Sequence, residues 1–299
     1  MAGGALVTGG GGFVGRHLVE HLSGAGDEVV APTSRELDLT DADATREYVA
    51  RARPAAVYHL AALASVGRSW DEPARTLGEN QAMALNLLEA VRREAPGARV
   101  LVAGSGEVYG PSAELPIGED APLAPQNPYA VSKAATDLLA GMYAAAHGLA
   151  VVRTRAFNHA GPGQSDDYVV GTITRQVAEA EAAGERSRVV LTGDPDSARD
   201  FTDVRDVVAA YRLAVDLEPG VYNVASGRAV AVRELIELVR RATDVEIRHE
   251  VDPARVRATD VAEVRGSAGR LHAETGWEPR VPLEQTVADA LAEWRRRLP

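Results

Sequence analysis

A glycine-rich turn near the start of the chain constrains the fold more than any other feature. The run Thr8–Gly15 follows the short apolar segment Ala5–Val7, and the pattern from Phe13 to Leu22 is typical of a helix. A strand, a glycine turn and a helix in this order let backbone amides approach a pyrophosphate at the helix N-terminus, where the dipole favours negative charge. The pattern therefore predicts a dinucleotide site at Gly9, Gly12, Phe13, Val14 and Gly15.

Short apolar segments alternate with helical patterns through the first half of the chain. Apolar runs lie at residues 29–31, 55–60, 100–103 and 151–154, and helical patterns lie at 42–53, 80–93 and 129–147. This alternation indicates βαβ units and predicts an α/β fold with a doubly wound parallel sheet of the Rossmann type. The ligand of such a sheet lies at the carboxyl ends of its strands.

The alternation changes after about residue 157. Stretches rich in glycine and proline separate shorter elements, and residues 232–241 and 287–297 have an amphipathic helical pattern. We therefore expect a smaller C-terminal α/β part that holds the substrate. The predicted boundaries assign residues 1–157 and about 203–226 to the dinucleotide-binding domain, and residues 158–202 and 227–299 to the substrate-binding domain.

Composition argues against several classes of function. The formal net charge of −11 opposes sequence-independent binding to nucleic acid, which requires a basic surface. The absence of cysteine rules out disulfides and thiolate metal ligands, and we predict no metal site. No apolar run reaches the roughly 18 residues of a membrane span, and the N-terminal segment does not resemble a signal peptide. We expect a cytoplasmic protein with no membrane partner.

Lys133 is the single lysine among 32 basic residues, and the others are arginines. A coding bias towards arginine explains the ratio, so the exception points to a position that requires an ammonium on a flexible stem. Tyr129 lies four residues earlier and therefore on the same face of the predicted helix. A tyrosine with a pKa near 10 is a poor acid or base at neutral pH, and a nearby ammonium is expected to lower that pKa.

Ser105 lies in the segment Gly104–Gly110, which directly follows the apolar run at 100–103, and can hydrogen-bond the same substrate oxygen as Tyr129. Together with Lys133, which can also bind a cofactor ribose, these residues form the predicted catalytic group of a nicotinamide-dependent enzyme. The end of the second strand should show which nicotinamide is bound. Ser34 and Arg35 there slightly favour the 2′-phosphate of NADP. A solvated turn residue is the alternative for Arg35, and NAD stays open.

These motifs resemble the extended short-chain dehydrogenase/reductases that modify nucleotide sugars. The resemblance runs from Leu6 to about Trp294, and its matching segments are residues 9–15, 59–62, 80 with 86–90, 105–110 and the Tyr129/Lys133 pair. The resemblance implies further cofactor contacts from Asp38, Leu39, Leu60, Ala61 and Ala62. It also implies a homodimer built from the helices at residues 80–93 and 129–147.

The second half is most similar to the branch of this family that acts on GDP-mannose. Residues 155–164 are similar to its Arg-x-Phe-Asn-His-x-Gly-Pro segment, and residues 199–206, 222–227, 252–261 and 276–279 also match. Ala258 departs from the branch, which has proline there. The resemblance implies a nucleotide-sugar substrate, with a GDP-sugar favoured. The implied substrate contacts are Ser65, Val66, Asn158, Val169, Arg199, Arg257 and Asp260, with Asn158 and Arg199 on the diphosphate.

Three reactions share this set of residues. A 4-ketoreductase needs a hydride and a proton from Tyr129, a 4-epimerase removes and returns the C4 hydride, and a 4,6-dehydratase needs a carboxylate base, for which Glu107 is the candidate. Residues 35–41 leave no room for the arginine-rich insertion of GDP-mannose dehydratases. The chain therefore looks closest to the 4-ketoreductases that convert GDP-4-dehydro-6-deoxy-mannose to GDP-rhamnose. Epimerase and dehydratase stay open, and a non-catalytic nucleotide sensor is a remote alternative.

Overall fold

The structure, a computed structural model, describes residues 4–255 and 261–298. Its strands are β1 (Ala5–Thr8), β2 (Val29–Val30), β3 (Ala56–His59), β4 (Arg99–Ser105), β5 (Ala150–Ala156), β6 (Asn158–Ala160), β7 (Ser187–Thr192), β8 (Ala198–Asp203), β9 (Gly220–Val224), β10 (Ala229–Ala231), β11 (Glu246–Val251) and β12 (Glu263–Val264). Its α-helices are α1 (Phe13–Gly24), α2 (Ala42–Ala52), α3 (Val66–Asp71), α4 (Pro73–Glu94), α5 (Pro128–His147), α6 (Val169–Ala182), α7 (Val204–Ala214), α8 (Val232–Arg240), α9 (Gly269–Thr275) and α10 (Leu283–Arg297).

A parallel sheet organises the first half of the chain. Within the described ranges its order is β2-β1-β3-β4-β5-β9, and every neighbouring pair runs parallel. Helices α1 and α7 bury apolar residues against one face, while α2, α4 and α5 cover the other. The predicted Rossmann-type sheet is therefore confirmed. Because the strands are parallel, the carboxyl ends of β1, β3, β4 and β5 meet along one edge.

The second half forms smaller sheets beside that edge. Strand β8 pairs with β6, β10 and β12, and β7 pairs with β11. Helices α6, α8 and α10 share a separate apolar core. In contrast, Leu271 and Trp277, in and after α9, are buried beside α7 against the core of the large sheet. The domain boundaries given above stay a prediction.

A buried ion cluster fixes α5 to the large sheet. Asp137, whose side chain is 1% exposed, accepts hydrogen bonds from Arg153 at 2.9 Å and from Arg155 at 2.8 Å, both on β5. Asp137 lies on the same helical face as Tyr129 and Lys133, at spacings of four residues. The cluster therefore fixes the position of Tyr129 and Lys133, the predicted catalytic pair, relative to the sheet.

The described residues contain neither a membrane-spanning helix nor a cluster of metal-ligating side chains. No described helix is long and apolar enough to cross a membrane. Among residues 4–255 and 261–298, no group of three or more histidine, aspartate or glutamate side chains is arranged to hold a metal ion.

Candidate active site

A large cavity opens at the carboxyl ends of β1, β3, β4 and β5. Its volume is about 1360 Å³, above the roughly 300–1,000 Å³ of a pocket for one small molecule. The space therefore accommodates two ligands side by side. The lining includes most of the side chains predicted from sequence: Gly9, Gly12, Phe13, Val14, Gly15, Ser34, Asp38, Leu39, Leu60, Ala61, Ala62, Ser65, Val66, Ser105, Glu107, Tyr129, Asn158, Val169 and Arg199.

Four predicted residues are not among these described lining residues. Lys133 is buried next to the cavity without lining it. Arg35 is exposed and is not among the described lining residues. Arg257 and Asp260 lie outside the described residues. The contacts of all four with a ligand stay predictions.

The glycine turn is packed too closely for side chains. Gly9 has a φ of +75°, and a Cβ there would lie 2.7 Å from the backbone nitrogen of Ala61. A Cβ on Gly15 would lie 2.1 Å from the carbonyl oxygen of Gly9. Gly12 caps α1 without a side-chain hydrogen bond, so the first-turn amides of the helix are left for a diphosphate. This arrangement fits the dinucleotide predicted from the sequence.

The turn after β2 contains two carboxylates that accept hydrogen bonds from nearby threonines of the same turn. Glu36 accepts hydrogen bonds at 2.8 Å from both the backbone nitrogen and the hydroxyl of Thr33, and these bonds lower its pKa. Asp38 accepts from the hydroxyl and backbone nitrogen of Thr40, which lowers the pKa of Asp38 in the same way. Ser34 therefore faces the cavity beside carboxylates that already have partners.

Asn127 connects the start of α5 to two of the predicted residues, Glu107 and Ser105. Its Oδ1 accepts a hydrogen bond from the backbone nitrogen of Ala130 at 2.8 Å and caps α5, while its Nδ2 donates to Glu107 Oε2 at 3.1 Å. The backbone nitrogen of Glu107 in turn donates to Ser105 Oγ at 3.2 Å. Sequence reasoning missed Asn127, although an asparagine before a proline at a helix start is a capping signal.

Asn80 provides a second connection to α5, the helix that carries Tyr129 and Lys133. Its side-chain amide bonds the backbone nitrogen of Leu63 at 2.8 Å and the carbonyl of Leu63 at 3.2 Å. The same Nδ2 donates to Ser132 Oγ at 2.9 Å. Asn80 is 3% exposed, so it fixes the cavity-lining segment after β3 relative to α5.

The pKa of Tyr129 differs from the sequence prediction. Burial raises the pKa of this phenol above its ordinary value, opposed in part by a hydrogen bond with Ser105. Lys133 instead donates to the carbonyl oxygen of Ala103 at 2.8 Å, and burial lowers the pKa of Lys133 to about 8. The predicted lowering by the ammonium is therefore wrong for this structure. A phenol that keeps its proton at neutral pH is suited to donating it.

His159 follows Asn158 and packs against the glycine turn. Its ring stacks on Phe13 with centroids 6.1 Å apart, and its Nδ1 bonds the carbonyl of Phe157 at 3.0 Å. Burial lowers the pKa of His159. The histidine therefore holds the segment that carries Asn158 close to the start of α1.

His59, at the end of β3, is a buried histidine beside the predicted catalytic group. Its Nδ1 bonds Thr8 Oγ1 at 2.9 Å. Burial, aided by the charge of Lys133, lowers the pKa of His59 from 6.5 to about 3. The folded protein therefore holds this histidine neutral, whereas the unfolded chain takes up a proton near pH 6.5.

We expect this difference to make stability depend on pH. Because the unfolded chain binds a proton that folded His59 refuses, stability is full above pH 6.5 and falls as the pH drops towards about 3. In the variant His59→Gln, the urea midpoint should fall less between pH 7 and pH 5 than in the wild type. The surface variant His147→Gln should keep the wild-type dependence. An equal fall in His59→Gln and the wild type would contradict the assignment.

Comparison with known proteins agrees with this geometry. Residues 32–290 match the family described as GDP-mannose 4,6 dehydratase. The chain belongs to the GDP-mannose 4,6-dehydratase family. The resemblance to nucleotide-sugar short-chain dehydrogenase/reductases, predicted from the motifs, is thereby confirmed.

The proteins to which this chain is similar include enzymes of different activity. The chain is 41% identical over 298 residues to the GDP-6-deoxy-D-mannose reductase of Pseudomonas aeruginosa, covering 98% of this chain and 97% of that one. The structure of RMD from Pseudomonas aeruginosa complexed with NADPH has a TM-score of 0.90 at 37% identity, covering 98% and 99% of the two chains. The UDP-glucose 4-epimerase of Thermus thermophilus complexed with NAD has a TM-score of 0.85 at 32% identity, covering 97% and 98%.

Proposed function

We propose that this chain is an NAD(P)H-dependent 4-ketoreductase of a nucleotide-linked 4-keto-6-deoxy sugar, of the type that converts GDP-4-dehydro-6-deoxy-mannose to GDP-rhamnose. The observation that carries the proposal is the Tyr129 phenol, which is hydrogen-bonded to Ser105 in a cavity with room for two ligands. The 41% identity to a GDP-6-deoxy-D-mannose reductase supports the same reaction.

The cofactor side of the cavity begins at the glycine turn. Gly9, Gly12 and Gly15 would hold the diphosphate, and the residues around Ser34 would meet the adenosine ribose. The bound nicotinamide supplies the hydride. NADPH is favoured over NADH because serine and arginine follow β2 and because the similar reductase structure contains NADPH.

Tyr129 donates the proton of the reaction. As C4 of the sugar gains a hydride, its carbonyl oxygen becomes an alkoxide and takes the phenolic proton of Tyr129. Ser105 donates a second hydrogen bond to that oxygen and stabilises the developing charge. Lys133, whose pKa is lowered to about 8 by burial, lies one helical turn after Tyr129 and would carry a positive charge on the same face of α5 as the phenolate that forms.

Turnover of the keto sugar tests the proposal directly. Purified protein with NADPH or NADH should convert GDP-4-keto-6-deoxymannose to a 6-deoxyhexose nucleotide, measured by the loss of absorbance of the reduced cofactor. UDP-, dTDP-, CDP- and ADP-sugars in the same assay examine the choice of nucleotide. Absence of turnover with both cofactors would refute the reductase function.

A dehydratase remains the second candidate because of Glu107. Its carboxylate lines the cavity and has one oxygen held by Asn127, as a positioned base requires. If GDP-mannose alone yields the keto sugar, this function replaces the reductase, and Glu107→Gln should then abolish it. An epimerase would instead interconvert two 4-hydroxy sugars without net oxidation of the cofactor.

Lys133→Arg should reduce turnover although it preserves the positive charge. The lysine is 7% exposed and its ammonium bonds a β4 carbonyl, so a planar guanidinium cannot fit without moving its neighbours. A misplacement of about 1 Å near reacting atoms costs on the order of 100-fold, so we expect a loss of about 10- to 100-fold in kcat. Near-normal kcat would refute the need for a lysine.

We also propose a homodimer formed by α4 and α5. Leu138, Met142 and Val131 on α5 are 62%, 45% and 41% exposed, and Leu85 on α4 is 44% exposed. Their spacing places the α5 residues in one apolar stripe.

Leu138→Glu should shift the protein to the monomer in sedimentation experiments, whereas Leu213→Glu, at a 40% exposed site on α7, should not. A dimer that survives Leu138→Glu would contradict this interface.

A further inference from the structure

Two contacts join opposite sides of the cavity near Tyr129. The Arg68 guanidinium on α3 lies 3.3 Å from the carboxylate of Asp167. The hydroxyl of Tyr168 donates a hydrogen bond to the carbonyl of Ala64 at 3.2 Å. Both contacts connect the segment that follows β3 to the residues immediately before α6, and all four residues line the cavity.

These contacts differ in chemistry and in their relation to Tyr129. The side chains of Arg68 and Asp167 are 76% and 41% exposed, and an ion pair in water contributes little. Tyr168 lines the same cavity as Tyr129, and its phenol contributes electrostatically to the raised pKa of Tyr129. Of the two contacts, the Tyr168 hydrogen bond is therefore the one made by a side chain that affects Tyr129.

The bond to Ala64 limits what the Tyr168 hydroxyl can recognise. A phenol has one proton to donate, and here that proton is directed at a backbone carbonyl. The remaining lone pair can accept a hydrogen bond, so the oxygen can bind a hydroxyl group. It cannot donate to a ketone while that bond is intact, which leaves Tyr129 and Ser105 as the donors to the C4 oxygen.

We propose that Tyr168 is a specificity-determining residue whose hydroxyl oxygen accepts a hydrogen bond from the sugar hydroxyl next to C4. This contact would orient the ring towards Tyr129 and select sugars that retain a hydroxyl at that carbon. The proposal rests on the nucleotide-sugar function above. The proposed hydrogen bond is to the sugar, so the proposal does not depend on which nucleotide the substrate carries.

Binding measurements test the proposal without turnover. Calorimetric titration with GDP and with GDP-mannose compares the wild type with Tyr168→Phe, which keeps the ring and removes only the hydroxyl. The matched control is Tyr222→Phe, because Tyr222 makes a similar hydroxyl-to-carbonyl bond, with Glu218 at 3.1 Å. We expect Tyr168→Phe to weaken GDP-mannose about three- to tenfold, the usual value of one hydrogen bond, and to leave GDP within about twofold.

Several binding results would overturn the assignment. Equal weakening of GDP and GDP-mannose would indicate a general structural effect, and unchanged GDP-mannose affinity would show that the hydroxyl does not bind the sugar. Failure of the wild type to bind GDP-mannose would also refute it.

Arg68→Gln removes the exposed ion pair and should change GDP-mannose affinity by less than about twofold. A larger effect there would assign the contact to Arg68. Binding without ketone turnover would refute the reductase function alone.

Discussion

Tyr129→Phe should lower kcat for reduction of the keto sugar by about 10²- to 10⁴-fold, the usual contribution of a positioned general acid. The phenol bonds Ser105 in the cavity, and burial raises its pKa, so it holds the proton that the C4 oxygen must receive. Phenylalanine keeps the ring but has no proton to give. KM for both substrates should change by only a few fold, as steady-state kinetics with NADPH can show.

Tyr143→Phe is the matched control for this prediction. Tyr143 lies on the same helix, and its hydroxyl donates to Glu89 at 3.1 Å, away from the cavity. Its replacement should leave kcat near the wild-type value. If Tyr129→Phe and Tyr143→Phe retain the same activity, Tyr129 is not the proton donor. A water molecule or another side chain would then have to deliver the proton.

Asp137→Asn should lower the free energy of unfolding by about 3–5 kcal/mol, because it leaves buried positive charge without its counter-ion. The Asp137 and Arg155 side chains are 1% and 7% exposed, and Arg153, at 22%, shares the same carboxylate. Asparagine has nearly the same shape, so the loss of charge is the main change. Guanidinium chloride unfolding followed by circular dichroism measures the effect.

An exposed ion pair provides the control for Asp137. Asp120 pairs with Arg270 at 3.1 Å, but its side chain is 93% exposed. Asp120→Asn should therefore change the free energy of unfolding by less than about 1 kcal/mol. If both substitutions have the same small effect, burial of the Asp137 cluster does not stabilise the fold, and α5 must be held mainly by its apolar contacts.

The first half of the fold was predictable because its local signals agree with its packing. The apolar runs at residues 29–31, 55–60, 100–103 and 151–154 correspond to β2, β3, β4 and β5, and the pattern at 129–147 corresponds to α5 within one residue. The pairings of the second half were not predictable. Strand β8 has three partners distant in sequence, and no local pattern specifies which segments meet there.

The candidate site, like the fold, was predictable from the sequence only in part. Ser105, Tyr129 and the glycine turn carry recognisable spacings, and the structure places all of them at one cavity. Asn127 and Tyr168 were missed because their roles depend on partners 20 and 104 residues away. The direction of the Tyr129 pKa shift was also missed, since desolvation depends on the surrounding fold and not on the spacing of two residues.

The buried position of Lys133 has a practical consequence for labelling experiments. No other lysine is present in the chain, so an amine-selective reagent has one side-chain target, and that target is 7% exposed. Modification of this amine requires a local opening of the structure around Lys133. The rate of modification therefore measures how often that opening occurs. Ligands that close the region should slow the modification. A mass increase at one residue can thus report occupancy for ligands that produce no optical signal.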